Sequence, residues 1–303
     1  MSFITPEAWR AAGDYFEWRG HRIFHVVGGP ADVGGAGSDA PLLLIHGFPT
    51  ASWDWAPLWS SLCRHRRVLA LDMLGFGFSA KPRDVEYSIG AQADLIEALL
   101  ARHSYGAGRY RILAHDYGDT VAQELMARHG SRIEAVCLLN GGLFPEAHRA
   151  LLTQKLLASP LGPLLARLTS FRTFAASLRR ICMRPLEERE LRAMWSLVIE
   201  SGGAAVLPRL IGYIAERRQC RERWVGALVK APMPVRLIVG MGDPISGAHM
   251  AARYRELVPR PDVVELPGVG HYPQIEAPEI VLAAVEGFFG RFSVSASASA
   301  SMP

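Results

Sequence analysis

Short apolar runs alternate with longer segments of helical periodicity along most of this chain. The runs 41–46 (PLLLIH), 133–139 (IEAVCLL) and 235–240 (VRLIVG) have strand length and little polar content. Such runs predict strands buried on both faces. His21 to Val27, Arg67 to Asp72, 109–113 and 263–266 predict four more. Between them, Ser52 to His65, Ile89 to His103, Thr120 to His129, Ala248 to Val258 and Pro278 to Phe289 place apolar residues at three-to-four spacing and predict helices. Alternation of this kind predicts a mostly parallel sheet covered by helices on both faces.

The rhythm stops after Asn140. From Phe144 to about Lys230 the pattern gives helices and turns, punctuated by Pro160, Pro163, Pro185 and Pro208, and no strand. The expected organisation is therefore an α/β core of residues 1–143 and 231–292, with a helical cap, 144–230, inserted between its halves. Gly28 to Ala40 is glycine-rich and reads as a flexible loop. Residues 293–303 are a Ser/Ala tail expected to be disordered.

Charge adds one feature. The net charge is +4, yet Glu146 to Lys230 holds 15 Lys+Arg against 7 Asp+Glu, so the insert carries +8 and the remainder −4. A basic, leucine-rich segment suits either a solvated helical surface or an anionic or membrane-bound partner. No basic cluster interleaved with aromatics points to nucleic acid. No apolar run reaches the roughly 18 residues of a membrane span, and Met1 to Arg10 lacks the form of a secretory signal. Cys63, Cys137, Cys182 and Cys220 lack metal-site or disulfide spacing, so reduced thiols and a cytoplasmic location are expected, with no metal and no cofactor.

The candidate chemistry sits where predicted strands end, the edge at which open parallel sheets bind ligands. Leu113-Ala114-His115-Asp116-Tyr117-Gly118 has the small residue and glycine of a nucleophile elbow, with Asp116 at the apex. Asp116 could alternatively be a helix N-cap. Asp243 follows the strand 235–240, although Asp-Pro is also an ordinary turn starter, and His271 follows the last strand. A carboxylate is ionised at neutral pH and needs no base to attack. His271 could then activate water, Asp243 would orient the imidazole, and the backbone N–H groups of Phe48 and Tyr117 would receive an oxyanion. Asp119 reads as a favourable first-turn helix charge. His46 and His115 read as structural, and His148 as a surface or packing residue.

His46-Gly47-Phe48-Pro49, the turn around Gly75 and Gly77, the elbow, Asp243 and His271 together resemble the aspartate-nucleophile branch of the α/β-hydrolase superfamily. That branch contains haloalkane dehalogenases and epoxide hydrolases. The stretches HGFPTASWDW, LDMLGFGFS, HDYGDTVAQEL, NGGLFP and RWVGAL look like the subgroup of mesoderm-specific-transcript proteins and bacterial β-lactone decarboxylases of olefinic hydrocarbon biosynthesis. The resemblance implies an α/β-hydrolase fold with a cap, no cofactor, and an apolar substrate. Its closest form implies decarboxylation of a dialkyl β-lactone to a cis-alkene, possible within a multi-enzyme pathway assembly. Dehalogenase or epoxide hydrolase activity is the alternative.

Two departures bear on that choice. Dehalogenases carry tryptophan after the nucleophile and asparagine or tryptophan as second halide donor; here those positions are Tyr117 and Phe48. A halide pocket would need a cap residue such as Trp195 or Trp224. Epoxide hydrolases use cap tyrosines, usually two, and Tyr213 is alone between 144 and 230. Leu151, Leu152, Leu156, Leu157, Leu164 and Leu165 could line a channel for alkyl arms, or simply pack the cap helices together.

Overall fold

The computed structural model describes residues 3–30 and 40–292. The expected glycine-rich loop and the expected disordered tail fall mostly or wholly outside the described residues. After helix α1 (Pro6–Ala11), β1 (Asp14–Trp18) and β2 (His21–Gly28) form an antiparallel hairpin whose turn residues Arg19 and Gly20 have φ of 50° and 77°. The core continues through β3 (Leu42–Ile45), α2 (Ala56–Leu62), β4 (Val68–Leu71), α3 (Ile89–Arg102), β5 (Tyr110–His115), α4 (Tyr117–His129) and β6 (Ile133–Leu139). It resumes with β7 (Val235–Gly240) and ends on β8 (Asp262–Leu266).

These strands make one eight-stranded sheet in the order β1-β2-β4-β3-β5-β6-β7-β8. From β4 to β8 every neighbouring pair is parallel, and β2 joins β4 antiparallel. Every residue of β3, β4, β5 and β7 is buried, as their continuous apolar runs require. A fully buried Val, Leu or Ile contributes roughly 1.5–3 kcal/mol, so these central strands hold much of the stability. The strand β1 was not expected. In Asp14-Tyr15-Phe16-Glu17-Trp18 only Phe16 is buried, so an edge strand with this composition carries little periodic signal.

Between β6 and β7 the described chain is helical: α5 (Leu152–Leu157), α6 (Gly162–Arg167), α7 (Phe171–Ile181), α8 (Glu188–Ile199), α9 (Leu207–Leu210), α10 (Tyr213–Gln219) and α11 (Arg221–Val229). The run 188–219 is long and apolar enough to match a membrane span by composition, but Ser201 and Gly202, at φ 50° and 76°, break it. After β7 come α12 (Ala248–Leu257), and after β8 α13 (Pro273–Glu276) and α14 (Pro278–Phe289). Glu124 of α4 anchors the helical insertion, accepting from Trp224 Nε1 at 2.6 Å and from Arg223 Nε at 2.8 Å.

Candidate active site

Three strand ends of the parallel sheet place the candidate groups side by side. Asp116 is the residue between β5 and α4, with φ 48° and ψ −105°. A non-glycine residue there is strained, and such strain persists only when its surroundings fix it. Gly118 shows what fixes it: a Cβ at 118 would sit 2.4 Å from the carbonyl oxygen of Ile45. The helix can therefore start this close to β3 only with glycine at 118. Asp116 does occupy the N-cap position of α4, but its side chain makes no capping hydrogen bond there. Its Oδ2 instead accepts the Phe48 N–H at 3.1 Å, across from the cis Phe48–Pro49 peptide. Tyr117 opens α4, so its N–H belongs to the helix N-terminal groups that lack intrahelical partners.

His271 Nδ1 and Asp243 Oδ2 are 2.8 Å apart. Asp243 is held in turn by Asn140 Nδ2 at 2.9 Å and Ser246 Oγ at 2.7 Å on Oδ2, and by the Ile245 N–H at 2.8 Å on Oδ1. Burial on its own would raise the Asp243 pKa, but the charge and hydrogen bond of His271 hold it at about 2. Burial would likewise lower the His271 pKa; Asp243, with Asp116 and Glu276 behind it, lifts it to about 9. The environment of the pair thus favours the imidazolium over the neutral ring. With Nδ1 committed to Asp243, Nε2 is the nitrogen left for substrate chemistry.

An apolar cavity of about 360 Å³ reaches this site. Phe48, His271 and Tyr272 form its inner wall, and Leu157, Leu165 and Phe174 are among the insertion side chains that cover it. Asp116 lies one hydrogen bond behind that wall, through the Phe48 N–H. Of the six leucines expected along a channel, Leu151, Leu156, Leu157 and Leu165 line the cavity, whereas Leu152 and Leu164 face outward.

Arg217 and Glu276 matter here although the sequence did not single them out, and Asp119 and His148 lie deeper than their sequence context suggests. Arg217, on α10, is buried against the elbow. Its Nε donates to Thr120 Oγ1 at 2.6 Å and its Nη2 to the Asp116 carbonyl at 3.2 Å, with Nη2 3.9 Å from Asp116 Oδ1. The guanidinium also lies 4.4 Å above the Tyr213 ring. Gly142 makes room for it, since a Cβ there would fall 2.1 Å from Nη1. Asp119 lies in the first turn of α4, as expected, but it is fully buried, and burial together with the Asp116 charge pushes its pKa well above the usual 3.8. His148 is the packing residue of the two readings: its ring nitrogens are buried, and burial, with Arg217 and His271 nearby, lowers its pKa to about 3. Glu276 binds the insertion to the His271 loop. Its Oε2 accepts from Met183 N at 2.7 Å, Gly270 N at 2.9 Å and Arg184 N at 3.0 Å, and its Oε1 accepts from Tyr272 N at 3.0 Å.

The family model described as alpha/beta hydrolase fold matches residues 40–278. The chain belongs to this family. The mesoderm-specific transcript protein of Mus musculus is 42% identical over 299 residues, covering 94% of this chain and 88% of its own. Haloalkane dehalogenase 2 of Mycobacterium bovis is 29% identical over 84% of this chain and 89% of its own. The solved haloalkane dehalogenase DbeA-M1 loop variant from Bradyrhizobium elkanii superposes with a TM-score of 0.76 at 22% identity, covering 92% and 96%, a likeness of fold. This hydrolase-fold protein is thus related to haloalkane dehalogenases, with a mostly parallel sheet flanked by helices.

Proposed function

We propose that Asp116 is the nucleophile of a cofactor-independent enzyme acting on an apolar substrate, and that the substrate is a dialkyl β-lactone. The observation that carries the first part is the strained, buried Asp116 carboxylate on the Phe48 N–H, beside the Asp243–His271 pair. Attack by Oδ on the sp3 ring carbon would form an alkyl ester and break the ring C–O bond. The ring oxygen then leaves as a carboxylate on the same molecule. Cleavage of the bond to that carboxylate releases carbon dioxide, its electron pair forms the alkene, and the Asp116–carbon bond breaks to restore the carboxylate. No water or net proton is consumed. A His271 imidazolium is compatible with this route, where it would stabilise the carboxylates. Phe48 and Tyr117 would offer their N–H groups to the same developing charge.

The cavity lining supports the lactone over a halide. Among the described residues it contains no tryptophan or asparagine. Trp224 is committed to Glu124, and Trp195 packs on Phe174 with ring centroids 5.4 Å apart. A leaving carboxylate needs no halide donor pair.

Hydrolysis of an alkyl halide or epoxide through the same ester is the second reading, favoured by the relationship to haloalkane dehalogenase 2. There His271 must lose its proton and activate water. A side-by-side product screen with a dialkyl β-lactone, a bromoalkane and an epoxide separates the readings. Alkene and carbon dioxide support the lyase; halide or diol would refute it in favour of the hydrolase. In the hydrolytic case His271→Ala should accumulate an ester on Asp116, visible as a mass shift.

A further inference from the structure

Five of the eight large, exposed hydrophobic side chains among the described residues fall on one short segment. They are Leu152 (68% exposed), Leu156 (41%), Leu161 (59%), Leu164 (56%) and Leu168 (67%). Leu152 and Leu156 are one helical turn apart on α5. Leu161, Leu164 and Leu168 follow at three-to-four spacing along α6 and its ends, and the two helices pack together. The result is an apolar stripe on the outside of the insertion. Isolated exposed leucines are ordinary; a contiguous group marks an interaction surface.

Two further observations identify what that surface meets. First, the stripe runs into the cavity: Leu156 and Leu168 are exposed and also line it. A molecule leaving an apolar phase at the stripe would enter the cavity without crossing water. Second, the segment from Ala147 to Leu186 contains seven Lys+Arg and no Asp or Glu. Arg149, Lys155, Arg167, Arg172 and Arg180 are exposed, and none makes an ion pair among the described residues. Exposed apolar side chains on a segment whose unpaired charges are all cationic match the acyl layer and anionic headgroups of a phospholipid surface. A second copy of this chain is a poor match, because it would bring two such cationic segments together.

We infer that α5 and α6 dock the protein on an anionic lipid surface, from which the apolar substrate passes over the leucines into the cavity. This interfacial role does not depend on which bond Asp116 attacks.

Sedimentation of the full chain with vesicles tests it. Vesicles of phosphatidylcholine containing roughly a third phosphatidylglycerol should bind at least about tenfold more tightly than pure phosphatidylcholine, and salt should weaken the binding. Leu152→Ser, Leu161→Ser and Leu164→Ser combined alter no cavity-lining residue and should reduce binding about tenfold or more with an unchanged thermal melt. Lys155→Glu with Arg167→Glu should reduce it on anionic vesicles alone. Absence of binding, equal binding to both vesicles, or wild-type binding by the leucine variant would overturn the inference. So would a concentration-dependent dimer that the leucine variant abolishes, since the stripe would then be a self-association surface.

Discussion

Removing the Asp243 charge, as in Asp243→Asn, should discharge His271 at neutral pH. The pair is buried, and its Nδ1···Oδ2 distance is 2.8 Å. Lifting His271 from 6.5 to about 9 corresponds to about 3 kcal/mol of preferential stabilisation of the imidazolium. From the acid side, holding Asp243 at about 2 rather than 3.8 corresponds to about 2 kcal/mol. These are two views of one interaction and do not add; burial opposes both shifts, so the pair attraction itself exceeds either net figure. Because the folded pKa of His271 exceeds the unfolded value, its contribution is full below pH 6.5 and disappears as pH rises through 9. The Asp243 contribution is present above 3.8 and is lost as pH falls through 2. In Asp243→Asn, burial is left as the largest influence, and the His271 midpoint should fall by at least about two units. Titration of the imidazole Cε1 proton by NMR reads this directly. Denaturant unfolding at pH 6 and pH 10 gives the energetic counterpart, with the wild-type-minus-variant difference shrinking by about 2–3 kcal/mol between them. A midpoint unchanged within half a unit would refute Asp243 as the group that sustains the charge.

Arg217→Met keeps much of the side-chain volume but removes the cation and its bonds to Thr120 and the Asp116 carbonyl. It should lower kcat/KM by about 10²-fold, equivalent to about 3 kcal/mol, and Arg217→Lys should restore little because it lacks the guanidinium fork. Wild-type kinetics in Arg217→Met would show that the elbow holds without the insertion. Glu276→Gln puts an NH₂ where one carboxylate oxygen accepts backbone N–H groups. A stability loss of about 2–3 kcal/mol in denaturant melts is expected, with a fall in kcat from displacement of the His271 loop. An unaltered melt would mean that the clamp is dispensable.

The elbow was legible in the sequence because its constraints are local. Gly118 and the small Ala114 surround Asp116 within a few residues, and the strand-to-helix change of period marks the turn. The alternation of buried runs and helices likewise revealed the parallel sheet, although the edge strand β1 was hidden by having one buried side chain. Arg217 was illegible because Glu216-Arg217-Arg218 looks like a solvated helix face. Only the missing side chain at Gly142, 75 positions earlier, lets that guanidinium bury. The burial of Asp119 was hidden for a related reason: its first-turn position is evident in the sequence, whereas the close approach of Gly141 that encloses it is not. Glu276 sits beside four backbone donors that only the tertiary fold assembles. Asn140 was more accessible, as a polar residue ending an apolar strand at the ligand-binding edge of the sheet.

The most direct measurement is turnover of a dialkyl β-lactone, a bromoalkane and an epoxide by Asp116→Asn beside the wild type. If the Asp116 oxygen makes the first bond to substrate, whichever compound the wild type consumes should be converted at least about 10⁴-fold more slowly by the variant, with the fold intact by circular dichroism. Conversion by the folded variant within tenfold of the wild-type rate would contradict it.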